Sequence, residues 1–355
     1  MREIESLGRN NMNHICRVGL VLGLLIAVAP KIYAEDPGIP KALNALVMEG
    51  IDLTLRQEYT RADSVVRMAV ELYPRNPLGY LYRAGVMEAR SMDYLDPLNF
   101  TKFDSLLSLA SNEAKKIIEE HPRSALGHYY LGTAIGYDAY AQVDAGNWLG
   151  GILKGLSAAS EFKKTIELDS SLYDAYVGVG TYYYWKSRKI EFLNWMLGDH
   201  RAEGIRLLET AVDRAEYNKF TALSVLTAIY LDARQYDLSI QYAQRALDQY
   251  PSNRIFLGEL AEAQEQAGKT ADAIRTYERL LTSILNAKIA NPYSEILCRM
   301  HLIEAKLARK ETIGVESQVD AILVYEHHVF PDNLKDRAKE KFEKARKIRE
   351  RLAIQ

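Results

Sequence analysis

Glu71-Leu72-Tyr73-Pro74-Arg75-Asn76 returns 177 residues later as Asp248-Gln249-Tyr250-Pro251-Ser252-Asn253. Weaker copies stand at Glu120-His121-Pro122-Arg123-Ser124 and at Glu167-Leu168-Asp169-Ser170-Ser171. Each copy ends one apolar-periodic segment and opens another, as a turn between two helices does. Between the turns, small and large apolar residues recur at helical spacing. Ala62, Val66 and Ala69 form one set, Ser239, Ala243 and Ala246 a second, and Ala273, Tyr277 and Leu280 a third. A strand would need period 2, so the pattern predicts an all-α chain of helical hairpins.

These phrases resemble the tetratricopeptide repeat, whose unit is two antiparallel helices in about 34 residues, with small residues where the helices cross and a proline near the end. Residues 43–76 carry Gly50, Leu53, Ala62, Val66, Ala69 and Pro74, and residues 220–253 carry Leu226, Tyr230, Ser239, Ala243, Ala246 and Pro251. Residues 254–287 follow, with Ala273 at a spacing of 34 from Ser239. Leu131-Gly132 with Ile135, and Val179-Gly180 with Tyr183, repeat the first-helix part. The resemblance implies a right-handed α-solenoid over residues 43–290, preceded by a short linker at 35–42. A hairpin and a capping helix are expected over 291–355. In that last helix Leu334, Ala338, Phe342, Ala345 and Leu352 share a face, and nine basic and five acidic residues lie between Asp332 and Gln355. A solenoid needs such a polar-faced terminal element.

The departures from the 34-residue period are systematic. Turn-to-turn spacing is 48 from Pro74 to Pro122, 48 to Ser170 and 46 to Glu216, then 35 to Pro251. Three central repeats are therefore enlarged, with the extra length near 89–104, 138–153 and 186–200. Insertions at one place in successive repeats collect on one edge of a solenoid, so they are expected to touch. Met92, Tyr94, Leu95, Phe100 and Phe103 lie in the first, Trp148, Leu149, Ile152 and Leu153 in the second, and Ile190, Phe192, Leu193, Trp195, Met196 and Leu197 in the third. They predict a second small core. The competing expectation is a hydrophobic rim, with Trp148, Phe192 and Trp195 as its largest members, because contiguous exposed apolar surface marks a binding site.

Residues 1–34 read as a secretory signal. Arg2, Arg9 and Arg17 precede the apolar run Val18 to Ala29, and Ala34 stands before Glu35-Asp36. The run is about 12 residues, short of the roughly 20 that span a membrane. Met12 is an alternative start, and Cys16 lies before the run, where no lipid anchor would form. The expected location is the periplasm or cell envelope. Without residues 1–34 the chain carries 41 basic against 45 acidic residues, which gives nucleic acid no footprint. Cys298 is then the one cysteine, so no internal disulfide forms, and its expected role is a small buried residue.

Reaction machinery does not announce itself. No phosphate-cradling loop, His-Glu-x-x-His helix or nucleophile elbow is present. Gly178-Val179-Gly180 sits in a helical pattern and reads as hairpin packing. His327-His328 point about 100° apart on a helix and do not chelate one ion, and His121 and His128 flank a turn. No metal, cofactor or catalytic residue is assigned. In the resemblance the first helices line a concave face, and Tyr82, Tyr129, Tyr137, Tyr184 and Trp185 should project from it as an aromatic groove. The expected function is a non-enzymatic scaffold that binds a protein or peptide segment there. The alternative is a carrier for an apolar or aromatic small molecule enclosed by groove and insertions.

Overall fold

The computed structural model describes residues 38–144 and 146–353, so the signal expected at 1–34 lies outside the described residues. Among these residues there are sixteen α-helices and no strand. In order they are α1 (Lys41–Leu55), α2 (Tyr59–Leu72), α3 (Pro77–Tyr94), α4 (Phe100–Glu120), α5 (Ala125–Asp144), α6 (Trp148–Leu168), α7 (Asp174–Lys189), α8 (Asn194–Leu197), α9 (Arg201–Arg214), α10 (Lys219–Asp232), α11 (Tyr236–Leu247), α12 (Arg254–Gln266), α13 (Thr270–Leu285), α14 (Pro292–Ala308), α15 (Val315–Leu323) and α16 (Asp332–Leu352). None is long and apolar enough to cross a membrane.

The repeated phrases are the turns that start new hairpins. The Asn76 side chain accepts the Leu78 N–H at 3.0 Å, and Asn253 accepts those of Ile255 and Phe256 at 3.0 and 3.2 Å. Ser124 accepts the Gly127 N–H at 2.9 Å. Each satisfies donors that the first turn of a helix leaves orphaned. The other recurring device is a left-handed residue just past a first helix: Gln57, Arg234, Gly268 and Lys310 follow α1, α10, α12 and α14, with φ between 58° and 71°. That geometry ends the helix and sends the chain back along its partner.

The chain divides into two compact units. Of the described residues, one unit holds 38–90 and 98–233; the other holds 91–97 and 234–353. In the first, α1 packs on α2, α5 on α4 and α6, α7 on α6 and α9, and α9 on α10. Two insertions are longer helices: α3 to α6 run 18 to 21 residues each. The third is a 3₁₀ turn (Glu191–Leu193) followed by α8. Glycines permit the closest crossings. A β-carbon on Gly178 would stand 2.2 Å from the Phe162 ring, and one on Gly204 would stand 2.6 Å from the Gly180 carbonyl oxygen. The Gly-Val-Gly motif is hairpin packing, as its pattern predicts.

In the second unit α11 through α16 pack in succession. The end of α3 joins them: Arg254 grips buried Asp93 through two guanidinium nitrogens and lies 5.5 Å from the Tyr94 ring. Asn291 donates to the Tyr94 carbonyl at 2.9 Å. Helix α16 buries Leu334, Ala338, Phe342, Ala345 and Ile348 against α14 and α15 and turns its charges outward, which is the capping arrangement. Cys298 is buried, and its thiol donates to the Tyr277 carbonyl at 3.4 Å.

Candidate functional site

The two expected locations of a site have opposite fates. Tyr82, Tyr129, Tyr137, Tyr184 and Trp185 are all buried. The expectation of an open aromatic groove is corrected accordingly: these rings pack between helices of the first unit. Tyr137 meets Phe103 edge-on at 5.4 Å, and Tyr129 packs against Phe162 at 5.8 Å. Tyr184 donates to the Asp232 carboxylate at 3.0 Å and to the Ile229 carbonyl at 3.3 Å, with Trp185 edge-on beside it. Tyr217, just before α10, reaches the Asn44 side chain of α1.

Within that interior Asp174 is fully enclosed. One carboxylate oxygen accepts the N–H groups of Tyr217 and Asn218 at 3.3 and 2.8 Å. Desolvation pushes its carboxyl up to about 7, opposed by those N–H donors. Asn218 donates to the Tyr129 oxygen at 3.0 Å, and burial holds the Tyr82 and Tyr129 hydroxyls well above the usual phenol range. Asp174 ties the start of α7 to the turn before α10.

The insertions differ among themselves. In the first, Phe103 is buried and Phe100 is exposed; Trp148, Leu149 and Leu153 of the second and Phe192, Trp195, Met196 and Leu197 of the third are exposed, together with Leu156. The second small core is not what they form. Trp195 is 83% exposed and Phe192 is 74% exposed, against 55% for Trp148.

These side chains gather at one end of the α6–α7 pair. Phe162 faces Gly178, whereas Gly155 faces Tyr182, so the helices run antiparallel. At about 1.5 Å rise per residue, positions 148–153 stand level with the last turn of α7, from which 190–197 emerges. The tip is held in place. Asn194 donates to the Ser187 carbonyl and the His200 N–H donates to the Ser187 hydroxyl, both at 3.0 Å, while the His200 ring stacks on Tyr183 at 5.0 Å. At the start of α6, Asn147 accepts the Gly150 N–H at 3.0 Å and donates to Gln142 at 2.8 Å. Ion pairs border the patch: Lys154 with Asp138 at 2.7 Å, Arg188 with Asp232 at 2.7 Å, and Arg201 with Glu191 at 3.1 Å.

No family model matches this sequence, and no curated protein does. Among solved structures, a chain of the APC/C hetero-tetramer Cut9–Hcn1 superposes with a TM-score of 0.50 at 15% identity, covering 85% of this chain and 55% of that one. The fold is that of a tetratricopeptide-repeat protein. Two further structures with this fold are also similar. The C-terminal part of a TPR repeat-containing protein from Cytophaga hutchinsonii has a TM-score of 0.45 and 15% identity, with 83% of this chain and 98% of that chain covered. YrrB, a TPR protein with an unusual peptide-binding site, has a TM-score of 0.42 and 18% identity, with 61% and 93% covered.

No group of three or more His, Cys, Asp or Glu among the described residues is arranged to hold a metal. His128 bonds Glu161 at 2.7 Å on the neighbouring α6, and His328 packs at 4.8 Å from the Phe330 ring. Sequence reading missed Asp174 and Leu156. Asp174 gave no signal because its partners lie 43 and 44 residues away; Leu156 completes an i, i+4, i+7 series with Leu149 and Leu153 that was legible.

Proposed function

We propose that this chain is a non-enzymatic protein–protein interaction scaffold that docks a partner segment on the apolar tip of its first unit. The observation that carries the reading is the tip itself. Three aromatic side chains of roughly 150–250 Å² each, all more than half exposed, stand beside five exposed aliphatic ones. Soluble monomers rarely leave more than a few hundred Å² of contiguous apolar surface to water. A standard interface takes about 800 Å² from each partner, with an apolar, aromatic-rich centre and a polar rim, and the tip has that arrangement. The sequence of residues 1–34 supports export, and the periplasm or cell envelope is the proposed location.

The test is capture from envelope extract by the full chain, compared with the Phe192→Ala/Trp195→Ala variant, with helicity checked by circular dichroism. Loss of a partner that wild type retains, at unchanged helicity, supports docking at the tip. Equal recovery by both forms sinks it.

One observation favours a second reading, a carrier for a small aromatic molecule. The Tyr82 hydroxyl and the Asn218 side-chain oxygen are buried without a hydrogen-bond partner among the described residues. A polar guest would satisfy both. Native mass spectrometry decides between them: a co-purifying mass lost on Tyr82→Phe favours the carrier, and a bare chain excludes it.

A further inference from the structure

We infer that the occupant of the tip is an amphipathic helix whose apolar ridge lies along α6 and whose flanking side chains are acidic. This deepens the docking reading and rests on it.

The ridge comes from geometry. Leu149, Leu153 and Leu156 stand at i, i+4 and i+7 on α6, an exposed apolar line about 10 Å long. Trp148 stands at the same end of α6 but on the stripe of Gly155, and Phe192, Trp195, Met196 and Leu197 stand beyond that end. Helix-in-groove recognition reads the same i, i+3/i+4, i+7 spacing on the partner, so two such ridges interdigitate.

The charge comes from the neighbouring helix. Tyr182, Lys186 and Lys189 share one stripe of α7 at i, i+4 and i+7, and Tyr182 faces Gly155 of α6. Lys186 and Lys189 therefore run from that contact toward the tip end of the α6–α7 pair, while the leucine ridge lies about a third of a turn round α6 from Gly155. The other cations of the tip are already matched: Lys154 by Asp138, Arg188 by Asp232 and Glu191, and Arg201 by Asp199 and Glu191. No ion pair engages Lys186 or Lys189 among the described residues. The chain as a whole is acidic, with a formal net charge of −2, yet the unmatched charge at this end of the α6–α7 pair is positive. Complementary charge selects among partners that share an apolar face.

A lipid surface is the competing occupant of an exposed apolar patch, and the vesicle arm below separates the two.

The probe is a pair of synthetic 18-residue amphipathic helices with one Leu/Phe ridge, one flanked by Glu and the other by Lys, titrated into the full chain by fluorescence anisotropy. Vesicles of phosphatidylcholine and phosphatidylglycerol form a third arm. The Glu-flanked peptide is expected to bind about tenfold more tightly than the Lys-flanked one. Lys186→Glu/Lys189→Glu is expected to abolish or reverse that order, and Phe192→Ala/Trp195→Ala to weaken both peptides. Equal affinities, an order unchanged in the lysine variant, binding of neither peptide, or binding of vesicles alone would each overturn the assignment. The two readings fail separately. Envelope capture that depends on Phe192 and Trp195 but shows no charge order retires the acidic helix and leaves docking at the tip standing.

Discussion

Asp174 shows how much one residue can hold in a repeat fold. Buried, with its carboxyl pushed up to about 7, it favours the protonated form in the folded chain more than in the unfolded one. Its contribution to stability is therefore fully present below the unfolded carboxylate value and is lost as pH rises through about 7. Between pH 5 and 7 the slope is at most ~1.4 kcal/mol per pH unit, set by one proton. Urea unfolding across that window should show stability falling with pH in wild type and a flatter profile in Asp174→Asn; identical slopes would remove Asp174 as the cause. Burial also pushes the Cys298 thiol up to about 12. It should react with a thiol reagent only at the rate of unfolding. That burial was legible from cysteine's usual behaviour as a small apolar residue; the setting of Asp174 was not, because only tertiary contacts create it.

At the scale of the element, the sequence reading succeeded where a local rule decides. Asn76, Ser124 and Asn253 cap helices in the repeated phrases, and the glycine pair Gly178/Gly180 marks a crossing. Gly178→Ala would drive a methyl into Phe162, and the expected loss is about 1–3 kcal/mol by chemical denaturation. The opposite change is expected at Lys310, whose φ of 59° suits glycine: Lys310→Gly should leave stability unchanged or raise it by up to ~1 kcal/mol. The reading failed where helix length alone could not say which face is covered. Tyr82, Tyr129 and Tyr137 sit on first helices, as the resemblance places them, but the long hairpins α3–α4 and α5–α6 bury those rings. The same uncertainty hid the difference between Phe103, which finds Tyr137, and Trp195, which finds no neighbour to cover it. Tyr184→Ala, which an open groove would make a binding variant, is instead expected to destabilise the fold through the loss of its bonds to Asp232 and Ile229.

For the molecule as a whole, the two compact units differ in what their side chains do. The second is built for stability. Asp93 is held by Arg254 in a buried, two-pronged pair, and α16 closes the hairpins before it. Removing one partner of such a pair costs about 3–5 kcal/mol, because the other charge stays buried. Asp93→Ala should therefore lower the unfolding midpoint sharply while leaving capture by the tip intact below it. In the proposed reading the first unit carries the recognition surface, where Trp195 and Phe192 stand 83% and 74% exposed. With the export proposed from residues 1–34, the proposed scaffold meets its partner in the cell envelope through the tip and the unmatched lysines.

Site-specific photo-crosslinking in the intact envelope tests this most directly. A benzophenone side chain is placed at Trp195, at Leu153, or at Val329, which is equally exposed but distant in sequence from the tip. Formation of the same protein adduct from positions 195 and 153, absent from 329, is the predicted result. Adducts to lipid alone, or an identical pattern from all three positions, would contradict it.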